Sequence, residues 1–192
     1  MTSAPSRFRL LGLSGSLRRA SANTAVLRSL ADALAPRAEL TIFPLDEIPP
    51  YNQDHDGENA TAAVRALKEA ITASDGLVIS SPEYNYGISG VLKNALDWAS
   101  RPAMKSPMRG KPALIMTVSP AFTGGARAQY QLRETLSSML ARVVPRPQVV
   151  IAGVQEKVQD GRLVDEVALR FALEAVDDLL KEIALLRLRD AR

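Results

Sequence analysis

Apolar residues follow two alternating patterns along the chain, short uninterrupted runs and longer stretches with helical spacing. The runs predict buried strands, and the spaced stretches predict amphipathic helices. Strands are predicted at residues 8–13, 39–43, 76–81, 112–119 and 148–152, and helices at residues 27–34, 64–71, 90–101, 132–143 and 164–186. Five strands interleaved with five helices indicate a parallel sheet covered on both faces. Right-handed crossovers then favour a doubly wound α/β sandwich.

The length of 192 residues predicts a single domain over residues 1–192. Hydrophobic residues make up 46% of the chain and charged residues 23%, as in ordinary globular domains. No apolar run reaches the length of a membrane span, and the first residues lack the apolar core of a signal peptide. We therefore expect a cytoplasmic protein that does not enter membranes.

The chain contains no cysteine and a single histidine, His55. These counts exclude disulfides, thiol nucleophiles, thiolate metal sites and histidine-rich metal sites. His55 lies in a polar loop predicted at residues 44–59, where we expect it to be exposed; Asp54, Asp56 and Glu58 form too weak a cluster to predict a metal site. The net charge is only +3, and the basic residues are spread along the chain. Because there is also no nucleic-acid recognition motif, nucleic-acid binding is not expected. Demanding chemistry would therefore have to come from a bound cofactor.

The loop after the first predicted strand, residues 12–23, is rich in small polar residues. Free N–H groups and the helix dipole attract anions at such a strand-to-helix junction. Ser16, Ser21, Asn23 and Arg18 add hydroxyl, amide and guanidinium donors. The spacing matches neither the phosphate loop of nucleotide triphosphatases nor the three-glycine dinucleotide fingerprint. The loop therefore favours a phosphomonoester, with an ordinary capped helix start as the alternative.

The loops after the third and fourth predicted strands also carry ligand-type residues. Pro82 is followed by an asparagine between two tyrosines at residues 84–86, a rigid rim able to face a planar heterocycle or, equally, a buried turn with a packed tyrosine. Ser119 precedes the pair Gly124 and Gly125, which lets the backbone approach a ligand or forms only a flexible connection. Ligands of open α/β sheets bind beyond the carboxyl ends of the strands, so the three loops together predict one site.

The helix predicted at residues 90–101 has one charged and one apolar face. Lys93 and Asp97 are four residues apart, which predicts a surface ion pair. Trp98, the single tryptophan, lies on the opposite face and is predicted to be a core residue rather than a platform for a ligand.

Several of these segments resemble the NADPH-dependent FMN reductase family of the flavodoxin-like superfamily, which includes bacterial quinone and chromate reductases. The matching segments are residues 15–23, 82–86 and 92–98, together with residues 124–127 and Tyr130. The likeness extends over residues 11–140. It implies a flavodoxin-like, doubly wound α/β fold whose five-stranded parallel sheet has the order 2-1-3-4-5, with helices on both faces.

The resemblance also implies which residues hold FMN. The phosphate would lie on Ser16, Arg18, Ser21 and Asn23, with Leu17 near the ribityl chain. Ser119 would close the pocket around the isoalloxazine, which would be lined by residues of the second motif, Pro82, Glu83, Tyr84, Asn85 and Tyr86. The family forms homodimers, often paired into homotetramers, and Arg127 and Tyr130 resemble residues of the tetramer contact. Gly87 and Ser89 replace the serine and proline usual in the family, so a looser rim is expected there.

The function implied is that of an FMN-dependent oxidoreductase. NAD(P)H would give a hydride to the flavin N5, and an acceptor such as a quinone, chromate, an azo dye or free flavin would then be reduced. The flavin carries this chemistry, so no catalytic side chain is predicted. One alternative is a flavodoxin-type electron carrier, but such carriers are strongly acidic and this chain has a net charge of +3. The other alternative is a regulatory phosphate- or flavin-binding module.

Overall fold

The computed structural model describes residues 7–190 and places five α-helices around a parallel sheet. The sheet strands are β1 (Phe8–Ser14), β2 (Ala38–Phe43), β3 (Gly76–Ser81), β4 (Pro112–Val118), β5 (Arg142–Val143) and β6 (Val149–Ile151). The helices are α1 (Ala22–Leu34), α2 (Ala62–Ala73), α3 (Gly90–Ala99), α4 (Ala126–Ser138) and α5 (Glu166–Asp190). A separate hairpin consists of β7 (Val158–Gln159) and β8 (Arg162–Leu163).

The sheet has the order β2-β1-β3-β4-β5, with β6 also paired to β4, and all of its pairs are parallel. This order confirms the predicted doubly wound, flavodoxin-like fold. The chain moves from β1 outward to β2 and then returns to β3 on the other side of β1. The strand order therefore reverses between β1 and β3, which is where open α/β sheets bind their ligands.

Both faces of the sheet are buried. Successive side chains of a strand point to opposite faces, so Leu77 and Ile79 of β3 join the core under α2, α3 and α4, whereas Val78 joins the core under α1 and α5. Every residue of β3 and β4 is buried. This two-sided burial explains why these strands are continuous apolar runs in the sequence.

The predicted fourth helix and fifth strand require correction. The helix ends at Ser138 rather than at Val143, and Leu140 beyond it has a left-handed φ of 61°. Val143 instead belongs to β5, which pairs with β4. Pro145 and Pro147 follow, and because proline has no N–H to donate to a ladder, the edge strand is interrupted. The strand predicted at residues 148–152 is thus the second half, β6, of a broken edge strand.

The hairpin β7–β8 is a feature that sequence reasoning missed. Its turn residues, Asp160 and Gly161, have φ of 48° and 72°, as the tight two-residue turns of hairpins require. The predicted last helix also begins too early, since Val164 precedes α5. Asp165 caps that helix instead, and its Oδ1 accepts the N–H of Ala168 at 2.7 Å.

The loop at residues 44–59 is anchored on α3. The Pro49 carbonyl accepts hydrogen bonds from Trp98 Nε1 at 2.7 Å and from Asn94 Nδ2 at 2.9 Å. Asn94 Oδ1 in turn accepts the N–H of Tyr51 at 2.7 Å. Trp98 is fully buried, as predicted, and Tyr51 packs edge-on against it. The loop is therefore part of the packed structure on this side, although most of its residues after Tyr51 are exposed.

Two predicted surface features are confirmed. His55 is exposed, and Lys93 Nζ lies 2.7 Å from Asp97 Oδ1 at the surface, with the two side chains 42% and 37% exposed. Within residues 7–190, no helix combines the length and the apolar composition that a bilayer crossing requires.

Asp56 forms a partly buried ion pair with Lys68, at 2.9 Å with side chains 21% and 19% exposed. Burial raises the pKa of Asp56, but the hydrogen bonds from Lys68 and the Gly57 N–H, with the charge of Lys68, outweigh it and hold the pKa below its ordinary value. The unfolded chain then binds the proton more tightly than the folded protein does. The pair therefore stabilises the fold above the ordinary carboxyl pKa, and this contribution is lost as the pH falls through the folded pKa.

We expect Asp56→Asn to lower the free energy of unfolding at pH 7 by about 0.5–1 kcal/mol. The difference from the wild type should shrink as the pH falls below the ordinary carboxyl pKa and disappear once the pH lies below the folded pKa, where both states are protonated. Urea unfolding at a series of pH values measures this. A difference that stays constant from pH 7 to pH 3 would contradict the assignment.

Candidate functional site

A cavity of about 930 Å³ lies at the carboxyl ends of β1, β3 and β4, where the strand order reverses. Its walls come from the three loops after these strands, from the start of α1, and from the segment between β6 and α5. This volume is in the upper range of cavities that hold small molecules and cofactors. The position agrees with the site that the three loops predict.

The loop after β1 is held at both ends by hydrogen bonds. The Gly15 N–H donates to the Ser80 carbonyl at 2.8 Å, which ties the loop to β3. Ser21 caps α1, and its Oγ accepts the Thr24 N–H at 3.2 Å. The first two N–H groups of the helix have no acceptor within it. With the helix dipole they form an anion-binding end that faces the cavity.

Asn23 is oriented by a buried hydrogen bond. Its Oδ1 accepts the Ser80 hydroxyl at 2.8 Å, and the residue is 4% exposed. Its Nδ2 makes no hydrogen bond within residues 7–190 and belongs to a residue that lines the cavity. An amide nitrogen can only donate, so Asn23 presents donors and no acceptor to a ligand.

Gly15 brings the first and second loops into direct contact. A Cβ at this position would lie 2.9 Å from Pro82 Cδ, 3.0 Å from Ser89 Oγ and 3.2 Å from Ser81 Cα. These distances are shorter than ordinary carbon contacts of about 3.5–4.0 Å. Only glycine fits without moving a loop.

The second loop turns sharply after Glu83. Tyr84 and Gly87 exchange two backbone hydrogen bonds, at 2.9 and 3.0 Å, around Asn85 and Tyr86, which both have positive φ. Asn adopts this conformation with little strain, but a tyrosine rarely does. The turn leaves Tyr84 on the cavity wall and sends Tyr86 outward, where it is 71% exposed.

The Glu83 carboxylate is committed to the start of α4. Gly125, at the N-terminal end of that helix, has no side chain to cap it. Glu83 Oε2 accepts the Ala128 N–H at 3.1 Å and supplies the missing cap from the neighbouring loop. Glu83 therefore links the second loop to the third.

The third loop is tightly packed at its base. Ser119 Oγ accepts the Ala121 N–H at 3.2 Å, and the Ser119 N–H donates to the Ile151 carbonyl at 3.0 Å. Gly124 has a φ of 59°, and a Cβ there would lie 2.0 Å from Val150 Cγ1. The glycine is thus required by both conformation and space, rather than marking a flexible connection.

The cavity brings together most of the predicted site residues. Eight of them line it: Ser16, Arg18, Ser21, Asn23, Pro82, Glu83, Tyr84 and Ser119. Leu17 lines a neighbouring cavity of about 410 Å³ on the side of β2. Asn85 and Tyr86 line neither cavity, and Tyr86 stacks under the Arg127 guanidinium, 4.2 Å from the ring centroid.

The fourth wall of the cavity was not predicted. It consists of Val154, Gln155, Val158, Asp160 and Gly161, with Arg28 of α1 beside them. The one available signal was the Asp-Gly pair at residues 160–161, which is typical of a hairpin turn.

Side-chain hydrogen bonds hold the second loop in place around Gly87 and Ser89, where a looser rim is expected. Gln131 Oε1 accepts the Ile88 N–H at 2.7 Å. The same oxygen fills the space beside Gly87, since a Cβ on Gly87 would lie only 2.5 Å from it. Ser89 caps α3, with its Oγ 3.3 Å from the Leu92 N. The segment after Tyr86 is therefore held by hydrogen bonds rather than left loose.

The donor set of the cavity fits a ligand with one terminal phosphate and a flat ring. The phosphate end has helix N–H groups, two serine hydroxyls, the Asn23 amide and the Arg18 guanidinium. The other end offers the apolar surfaces of Pro82, Tyr84 and Val118. Among residues 7–190, those that line the cavity include no lysine, histidine or cysteine. FMN has both parts, and these residues fit it.

The fold, with an anion-binding loop at the reversal of strand order, is that of a flavodoxin-like α/β protein. The family model described as NADPH-dependent FMN reductase matches residues 8–156, and the chain belongs to this family.

Similar proteins agree with this assignment. An NAD(P)H-dependent FMN reductase of Pseudomonas aeruginosa is 41% identical over 162 residues, which cover 84% of this chain and 87% of that protein. A quinone reductase of Escherichia coli is 41% identical over 164 residues, covering 83% and 87%. The structure of FerB, a flavoenzyme NAD(P)H:(acceptor) oxidoreductase of Paracoccus denitrificans, superposes with a TM-score of 0.81 at 31% identity and covers 92% of this chain and 97% of that one.

Proposed function

We propose that the protein is an FMN-dependent NAD(P)H oxidoreductase that reduces quinones or similar acceptors. The main support for the proposal is the cavity at the point where the strand order reverses. There the anion-binding loop after β1 packs at Gly15 directly against the rigid second loop. Family membership supports it. FMN, when bound, accepts a hydride from NAD(P)H and passes the electrons to the acceptor.

The residues of the first loop would hold the phosphate. Ser16 and Ser21 hydroxyls, the Asn23 amide and the first N–H groups of α1 donate to it, and Arg18 balances its charge. Leu17 lies outside the large cavity. Its backbone, rather than its side chain, would pass beside the ribityl chain. The donors are fixed before the ligand arrives, because Ser80 and Thr24 already hold Asn23 and Ser21.

The second and third loops would orient the ring. Pro82, Glu83, Tyr84 and Ser119 line this part of the cavity. Asn85 and Tyr86 would act by forming the turn that positions Tyr84. Backbone N–H groups near the ring would stabilise its reduced, anionic form electrostatically. No side chain would need to transfer a proton, so we propose no catalytic residue.

We also propose that the whole chain forms one flavin-binding domain that associates as a homodimer, with two dimers pairing into a homotetramer. Tyr86, Phe122 and Tyr130 are 71%, 93% and 69% exposed on the side of the cavity formed by the second and third loops and α4. Exposed aromatic side chains in such a group favour association. Arg127, already stacked on Tyr86, would belong to the contact between dimers. A cytoplasmic location fits the use of NAD(P)H.

Rapid mixing tests the proposal. Purified protein saturated with FMN is mixed with NADPH or NADH without oxygen, and the bleaching of the flavin absorbance is followed. A quinone is then added, and the return of the absorbance is measured.

We expect fast bleaching followed by fast return. A flavodoxin-type carrier would stay yellow with either nucleotide and bleach only with dithionite. A protein that binds no FMN would contradict both readings and favour a phosphate-binding module.

A further inference from the structure

The arginines within residues 7–190 include both paired and unpaired side chains. Arg37, Arg142, Arg146 and Arg162 pair with carboxylates at 2.5–3.2 Å. The three that line the large cavity, Arg18, Arg19 and Arg28, have no side-chain ion pair or hydrogen bond within residues 7–190, a state that they share with Arg133 and Arg170 outside the cavity. Unpaired cations gathered at one cavity indicate a ligand with more negative charge than a single phosphate carries.

Arg28 continues the cationic side chains of the first loop toward the hairpin β7–β8, because it lines the neighbouring cavity with Ser16 and Arg18 and the large cavity with the hairpin turn. It lies six residues after the start of α1, about 9 Å further along the helix axis. Its Nη1 lies 3.6 Å from the point that a Cβ on Gly161 would occupy, so the guanidinium rests against the turn of the hairpin β7–β8. Arg28 therefore lies beside the fourth wall of the cavity and borders the first loop as well.

The fourth wall is fixed in place on both sides of Arg28. The Leu163 N–H donates to Ser29 Oγ at 2.8 Å, in a buried position. Arg162 Nε lies 2.8 Å from Asp32 Oδ2. The hairpin is thus docked on α1 next to Arg28, and the positive φ of both turn residues fixes its tip. Such a wall can hold a second anionic group at a defined distance from the first.

We propose that Arg28 binds the 2′-phosphate of NADPH and makes the enzyme prefer NADPH to NADH; this inference rests on the proposed function. FMN has one phosphate, which the first loop serves. Hydride transfer would require the nicotinamide to lie against the flavin ring, which would leave the adenosine end of the cosubstrate to reach the fourth wall. NADPH differs from NADH only by its charged 2′-phosphate, and a guanidinium is the side chain best suited to that group.

Asp160 is the carboxylate on the same wall. It forms no ion pair with Arg28 within the described residues, and its charge opposes binding of a phosphate. Asp160 and Arg28 should therefore act on NADPH with opposite signs. Asparagine fits the hairpin turn as well as aspartate does, so Asp160→Asn removes the charge and keeps the turn.

The test compares Arg28→Ala, Asp160→Asn and the control Arg170→Ala, an exposed arginine of α5 outside the cavity. Steady-state kinetics give kcat/KM for NADPH and for NADH. Calorimetry on the FMN-loaded protein gives the affinity for adenosine 2′,5′-bisphosphate and for 5′-AMP, independently of turnover. Flavin fluorescence gives the FMN affinity of each variant.

For Arg28→Ala we expect kcat/KM with NADPH and affinity for the bisphosphate to fall about 10- to 100-fold, as loss of a charged hydrogen bond predicts. NADH, 5′-AMP and FMN should be unaffected. Asp160→Asn should raise the NADPH values about two- to fivefold, and Arg170→Ala should change nothing.

Three outcomes would overturn the inference. They are an equal loss with NADH and NADPH, a loss of FMN affinity, or wild-type behaviour of Arg28→Ala. Failure of the proposed function would look different, because the wild type itself would then bind no FMN or oxidise neither nucleotide.

Discussion

Replacing Gly15 with alanine is expected to weaken FMN binding about 10- to 100-fold, because displacement of a ligand-holding loop by a fraction of an ångström already disrupts a positioned site. The new Cβ would meet Pro82, Ser81 and Ser89 at 2.9–3.2 Å, and two of these contacts are with backbone or ring atoms that cannot rotate away. The first and second loops must separate. We also expect the free energy of unfolding to fall by about 1–3 kcal/mol, the usual cost of overpacking.

The matched control is Gly90→Ala, at the other end of the same second loop. A Cβ at Gly90 would have no neighbour within 4 Å, and the residue lies at the start of α3. Alanine there should leave FMN binding unchanged and stabilise the helix by about 0.5–1 kcal/mol. FMN titration by flavin fluorescence and urea unfolding measure both variants. Normal FMN affinity in Gly15→Ala would show that contact between the two loops does not form the site.

The sequence pattern predicts the interior of this molecule better than its edge. β3 and β4 are buried on both faces, so their sequences are apolar without interruption and their limits are easy to find. At the edge, β5 and β6 are two and three residues long. Their pairing with β4 depends on tertiary contacts that no local pattern records. The apolar residues Met139, Leu140 and Val143 happen to continue the helical spacing of α4, which made the helix seem longer than it is.

The candidate site, likewise, could be predicted from the sequence only in part. The anion loop could be predicted because its chemistry is local: a strand end, a helix start and the donors between them lie in one segment. The fourth wall could not, because Arg28 and Asp160 are 132 positions apart in sequence and meet only through the docking of the hairpin on α1. Glu83 shows a further limit, since its carboxylate caps α4 and only its position on the loop suggested a ligand contact.

Arg18→Ala is expected to weaken FMN binding about 10- to 100-fold, since a charge-assisted hydrogen bond to a phosphate contributes about 1.5–3 kcal/mol. Arg18 is exposed and lines the cavity beside the start of α1, so its removal should not disturb the fold. The decisive measurement compares FMN with riboflavin, which lacks the phosphate. Because the guanidinium would act only on the phosphate, riboflavin affinity should be the same in the variant and the wild type.

This comparison forms a thermodynamic cycle that isolates the phosphate contact. If Arg18→Ala weakened riboflavin and FMN equally, the arginine would act on the ring or on the shape of the loop. If it weakened neither, the phosphate would lie elsewhere. Arg133→Ala, on α4 and outside the cavity, controls for the loss of one positive charge from the protein. The FMN effect should also diminish as salt is added, whereas a loss caused by altered loop packing would not depend on ionic strength.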